Sequence, residues 1–184
     1  RSLADFDIIG FSLQYELCYS NVLSMLDLAG LPMRATERDE KAPLIVVGGP
    51  CAFNPEPLAD FFDCAVIGDG EEVVVELCSA VRVSKASGEN RAALLKRLAA
   101  IEGIYVPSHF MVSYQADGRI EAITAKDPQQ PKVRRRVLAD LDSAPYPEQP
   151  IVPFLETIHD RVAIEVARGC TRGCRFCQAG YIYR

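Results

Sequence analysis

Three of the seven cysteines in this sequence fall within eight residues. Cys170, Cys174 and Cys177 form a C-x₃-C-x₂-C run inside Gly169-Cys170-Thr171-Arg172-Gly173-Cys174-Arg175-Phe176-Cys177. Thiolates are soft ligands, and one tight loop that carries three of them is a metal site in outline. Gly169 and Gly173 can take backbone conformations that other residues resist. On a [4Fe-4S] cube three thiolates leave one iron without a protein ligand, and an open coordination position is what chemistry at a metal requires. Arg168, Arg172 and Arg175 surround the thiols with positive charge, which favours the ionised form and offsets an anionic cluster. Structural zinc, completed by a residue such as His159 or Cys51, is the alternative. Such sites usually show two C-x₂-C pairs or a Cys/His equivalent, and only one such pair is present.

A second group of residues could shape a crevice. Gly48-Gly49-Pro50 and Gly68-Asp69-Gly70 each follow an expected strand, where open α/β sheets place their ligands. Ordinary turn glycines explain either group taken alone. Neither a Walker motif nor G-x-G-x-x-G is present. Residues 42–81 hold seven acids and no Lys or Arg, which disfavours a phosphate-rich ligand; a bulky ligand gripped by backbone and shape fits better. Tyr15 and Tyr19 flank the first crevice loop and read as packing residues. Cys18, Cys51, Cys64 and Cys78 sit among apolar neighbours and read as small core residues. His109 and His159 read as ordinary, partly buried histidines.

The elements that must position these groups alternate strand and helix over the first 85 residues, as in a parallel-sheet domain. Residues 6–13, 44–47 and 65–67 read as buried strands. Ser20 is the expected N-cap of a helix carrying Val22, Leu23, Leu26 and Ala29 and closed by Gly30 and Pro32. Pro57 can start a short helix through Phe62, and Glu71 and Glu72 open another, their charges complementing the positive helix N-terminus. A linker over 84–88 precedes a packing helix over 90–102, with Leu94, Leu95, Leu98 and Ile101 on one stripe. Asp117-Gly118 signals a hairpin between 111–114 and 120–124. Residues 126–153 are rich in Pro and charge and read as a linker, and 162–166 as a last strand running into the cysteine loop. The expected divisions are 1–85, 86–125, 126–156 and 157–184.

Whole-chain properties narrow the setting. The 184 residues, 49% hydrophobic with net charge −5, are globular in composition and too few for a complete (β/α)₈ barrel, which needs about 250 residues. No stretch is long and apolar enough to span a bilayer, so no membrane partner is expected. Clustered thiols in an odd total of seven suit a reducing, cytoplasmic setting better than disulfides. Lys132 and Arg134-Arg135-Arg136 read as a solvated or acid-paired basic knot, with RNA contact as the alternative. Arg1 in place of an initiator Met suggests a chain cut from a longer one.

C-x₃-C-x-aromatic-C directly after a strand resembles the cluster loop of radical S-adenosylmethionine (SAM) enzymes, with Cys170, Cys174, Phe176 and Cys177 in the matching places. The resemblance implies a [4Fe-4S] cluster on the three cysteines and SAM chelated to the fourth iron by its amino and carboxylate groups. Phe176 would lie beside the adenine. Reductive cleavage would give a 5′-deoxyadenosyl radical, the electron coming from a protein such as a flavodoxin or ferredoxin. Upstream, Gly48-Gly49-Pro50, Asn54-Pro55-Glu56-Pro57 and Gly68-Asp69-Gly70-Glu71-Glu72 resemble the second half of a cobalamin (B12)-binding domain in B12-binding radical SAM proteins. That resemblance places Ser12, Gly48, Gly49, Gly68 and Gly70 around a corrin. It spans residues 7–81 and 137–184 and is nearest to an uncharacterised bacterial branch. The Asp-x-His-x-x-Gly motif that supplies a lower cobalt ligand is absent. The expectation is therefore an α/β protein: part of a Rossmann-like cobalamin domain, a small connecting region with a hairpin, and the start of a radical SAM barrel. Such a piece of an enzyme would be inactive alone, and its parent would couple SAM cleavage to methyl or radical transfer. Two alternatives are a radical SAM enzyme without B12, like the methylthiotransferases, and a non-catalytic metal-stabilised binding module.

Overall fold

The computed structural model describes residues 1–130, 132–146, 148–149, 154–155, 158 and 164–183. His159, and residues 162–163 of the expected last strand, lie outside the described residues, and 164–166 are not in a strand. The chain forms two compact units, Arg1–Val137 and Leu138–Arg184.

The first unit is built on a four-stranded sheet in the order β1-β2-β3-β4. β1 (Ile8–Ser12), β2 (Leu44–Gly48) and β3 (Cys64–Val66) run parallel, and β4 (Ile104–Tyr105) pairs antiparallel with β3. β2 is Leu-Ile-Val-Val-Gly, and because side chains alternate across a strand it feeds two cores. Ile45 and Val47 face one with Ile9, Leu26 and Phe62, while Leu44 and Val46 face the other with Val73, Leu77 and Leu98. α1 (Tyr19–Leu28) covers the first face, and α2 (Val73–Ser87) with α3 (Arg91–Leu98) covers the second. This mixed α/β sheet is compatible with a Rossmann-like domain.

Several boundaries differ from those expected. α1 grows out of a 3₁₀ turn over Glu16–Cys18, so Tyr19 begins it and Ser20 lies inside its first turn rather than capping it. The Pro57 region makes a single 3₁₀ turn over Glu56–Leu58. α2 runs through most of the supposed linker to Ser87 and ends at Gly88, whose φ of 67° is the left-handed C-cap conformation. α3 starts where Asn90 accepts the amide of Ala93 at 2.9 Å. Cys51 and Cys64 are core residues, but Cys78 lies on the outward side of α2 and is exposed. β5 (Phe110–Tyr114) and β6 (Ile120–Ala125) make the expected hairpin around Gly118, at φ 84°.

At the N-terminal ends of β2 and β3 sits a buried ionic knot. Asp63 accepts the Ile45 amide at 2.7 Å and Arg91 Nη2 at 2.8 Å, with Arg38 Nε 3.4 Å from the same oxygen. The Arg38 guanidinium also donates to the carbonyls of Pro32, Met33 and Phe61, each at 3.0 Å. Burial pulls Arg38 below its ordinary pKa, and the Asp63 charge opposes that shift. The opposite end of the sheet is left for the candidate crevice.

Candidate functional site

The C-terminal ends of β1, β2 and β3 lie side by side, so Ser12, Gly48 and Gly68 share one edge of the sheet. Ser12 pairs with Gly48, and its hydroxyl accepts from Gln14 Nε2 at 2.8 Å. Leu13 donates its amide to Gly48 and accepts that of Cys51, which brings the Gly49 turn hard against β1. A Cβ on Gly49, at φ 89°, would lie 3.0 Å from the Leu13 carbonyl oxygen and 3.2 Å from Ser12 Oγ. Gly49 is therefore needed for the chain's own packing. Gly70 has open space where its Cβ would be.

Gly68 is different. At φ 113° its missing Cβ would stand 2.1 Å from the carbonyl oxygen and 2.7 Å from the amide nitrogen of Arg136. The cradle of this glycine is filled by the chain's own backbone, so a corrin does not fit against Gly68 in this arrangement. Arg136 reaches on to Glu72 and Glu76 at 2.6 and 2.7 Å. Sequence reasoning left Arg136 in an acid-paired or solvated linker. The signal that could have placed it was a basic knot in a chain whose turn at Gly68-Asp69-Gly70 is followed by acids.

Tyr19 and Cys51 line the first crevice loop. Burial, then the Cys51 and Glu16 charges, push the Tyr19 phenol up to about 12. Burial likewise raises the Cys51 and Cys64 thiols, which are 2% and 0% exposed. Thiols held protonated in this way are poor metal ligands.

In the second unit, Cys170 and Cys174 are exposed, Cys177 is partly buried, and all three are free thiols. Glycine shapes this loop too. Gly169 has φ 91°, and a Cβ there would be 2.5 Å from the Tyr183 carbonyl oxygen, which accepts the Cys170 amide at 3.3 Å. α4 (Ala179–Ile182) lies just before that carbonyl, and Gly180 on it leaves room for the Arg172 carbonyl, 3.0 Å from where a Cβ would stand. The loop is thus folded back on the helix that follows it. The Cys177 amide donates to the Cys174 carbonyl at 3.1 Å, and the Arg172 amide lies 3.4 Å from Cys170 Sγ. Arg168 pairs with Glu165, Arg172 and Arg175 are exposed, and Phe176 is 93% exposed. Among the described residues no three His, Cys, Asp or Glu side chains are close enough to hold a metal, so the three thiols share a loop without being gathered. As a donor set, three uncrosslinked thiols on one short loop fit an iron–sulfur cluster.

An open, largely parallel sheet, followed in the sequence by a thiol-bearing loop, defines a mixed α/β protein with a candidate metal loop. The family described as "Radical SAM proteins, N-terminal" matches residues 1–107, and the chain belongs to that family. As a class, radical SAM proteins use a [4Fe-4S] cluster and SAM. The uncharacterized protein MJ0966 of Methanocaldococcus jannaschii is 25% identical over 184 residues, covering 98% of this chain and 32% of the relative. The chain therefore spans about a third of that relative's length. No solved structure matches. Among the described residues no helix is long and apolar enough to cross a membrane.

Proposed function

We propose that the chain is part of a radical SAM enzyme in which Cys170, Cys174 and Cys177 bind three irons of a [4Fe-4S] cluster and leave the fourth to SAM. The observation that carries this reading is the loop of three free thiols, two of them exposed, in a chain of the radical SAM N-terminal family. A cluster bound there supplies reductive cleavage of SAM. The protein's own residues bind and orient. Gly169 and Gly180 let the loop close on α4, the exposed Arg172 and Arg175 place positive charge beside an anionic cluster, and the exposed Phe176 offers a face for the adenine. The same two arginines would suit an acidic electron donor such as a flavodoxin or ferredoxin.

Two finer readings divide at the crevice. In one, cobalamin lies over the strand ends and the enzyme passes a methyl or radical equivalent between cobalamin and an unactivated carbon or phosphorus centre; exposed Ser12 beside Gly48 and Gly49 supports it. In the other, as in methylthiotransferases, the sheet carries no corrin, and the Arg136 backbone seated against Gly68 favours this reading.

Anaerobic reconstitution of the whole protein with iron and sulfide tests the proposal. About four irons per chain are expected, with an EPR signal in the reduced protein that changes when SAM is added. One zinc and no iron, or a signal indifferent to SAM, would overturn it.

A further inference from the structure

We infer that the crevice at the end of β3 belongs to the chain itself: the segment around Arg136 is a strap docked there as an added strand, latched by Arg136 on Glu72 and Glu76. The docking is made by backbone. Arg136 forms a parallel bridge with Gly68, its amide donating to the Ile67 carbonyl at 2.8 Å and its carbonyl accepting the Asp69 amide at 3.0 Å. A strand end in an α/β sheet normally offers these groups to a ligand or to water, and here they are spent on the protein.

Two glycines on separate elements leave space for the strap. Gly68 follows β3, and Gly103 precedes β4 with φ 90°; its Cβ would lie 2.9 Å from that of Arg136. Either position with a side chain would push the strap out, so the close approach is built from both sides. One step back along the strap, Val133 packs on the core under β1 and β2, and Gln130 Nε2 lies 3.5 Å from the Ala99 carbonyl. From the bridge, the Arg136 guanidinium crosses to Glu72, at the N-cap of α2, and to Glu76 in its first turn. Side-chain exposure falls to 18% at Arg136 in a segment whose neighbours Lys132 and Arg134 remain exposed.

A planar ligand the size of a corrin and the strap cannot both occupy the space against Gly68. Gly68, one of the turn glycines that resemble a cofactor site, therefore serves here to admit the strap. This rests on the sheet unit alone and stands or falls apart from cluster chemistry in the cysteine loop.

Limited trypsin digestion of the whole protein reads the strap directly, because Arg134, Arg135 and Arg136 are themselves cleavage sites. Cleavage there is expected to be slow in the wild type and at least about tenfold faster in a Glu72→Gln/Glu76→Gln variant, the size of effect that losing roughly 1.4 kcal/mol of docking would give. Both glutamates are about half exposed, so the variant should keep its fold; far-ultraviolet circular dichroism checks that. Rapid cleavage in the wild type, or equal rates in the two proteins, would overturn the assignment. Hydroxocobalamin is added in a second arm. No absorbance change, or binding with the strap still protected, supports the strap as occupant of the crevice. Stoichiometric binding that exposes the strap to trypsin would give the crevice back to a corrin. Iron content and SAM-responsive EPR of the same preparation report on the radical SAM reading separately.

Discussion

Tyr19 begins α1 and meets the thiol of Cys51, which the Gly49-Pro50 turn buries. Neither group has cause to ionise near neutrality, since burial raises both. That removes Cys51 as a ready fourth ligand for zinc, whereas Cys170 and Cys174 of the 170–177 loop are exposed. The shift at Tyr19 also predicts a pH dependence. An unfolded tyrosine releases its proton near its ordinary 10.0, and the folded one near 12. Between those values the unfolded state binds fewer protons, so the contribution is complete below pH 10, shrinks as pH climbs, and is gone above 12. Urea midpoints measured between about pH 9 and 11 should fall more steeply for the wild type than for Tyr19→Phe, which lacks the ionisable phenol. Parallel slopes would show that Tyr19 titrates alike in both states.

At the level of elements, the knot at Asp63 ties β2, β3, α3 and the loop before β2 through one carboxylate. Asp63 is 3% exposed and the Arg38 side chain is fully buried, so removing the acid leaves two guanidinium groups facing each other with little water. Breaking a buried pair from one side costs about 3–5 kcal/mol. Asp63→Ala should lose about that much in urea denaturation, and Asp63→Asn less because it can still accept the Ile45 amide. A loss under about 1 kcal/mol would mean that water replaces the carboxylate.

The same elements show which parts of the fold a sequence reveals. β2 was legible because a β-branched run has a local cause, and the hairpin because Asp117-Gly118 sets its own turn. β4 was not, since two residues carry no period and Ile104 and Tyr105 become a strand only by pairing with β3. Ser20 misled because a 3₁₀ turn upstream replaced the cap that its side chain would have made. For the candidate site, the cysteine spacing was plain, and Gly68 was visible as a special position. Its partner was not, because the contact with Arg136 joins residues far apart in the chain and depends on where the whole sheet places its ends.

On the scale of the whole molecule, the sheet unit and the unit bearing the cysteine loop differ in what holds them. Arg1–Val137 has two apolar cores, one on each face of the sheet, and needs no cofactor to bury them. Around the cysteines the described contacts are local ones, such as the Cys170 amide on the Tyr183 carbonyl, the Cys177 amide on the Cys174 carbonyl and the Arg172 amide beside Cys170 Sγ, with one short helix. Cluster ligation would draw the three thiols together, so binding free energy in that loop is folding free energy, whereas in the sheet it is not. Hydrogen exchange on the reconstituted protein before and after anaerobic iron chelation tests this division. Loss of protection is expected across 169–183, at least tenfold if ligation supplies more than about 1.4 kcal/mol of local stability, while the amides of Ile45 and Val47 stay as slow as before. Protection lost equally in β2 would show that the sheet depends on the cluster, and protection unchanged in the loop would show that these cysteines do not hold it.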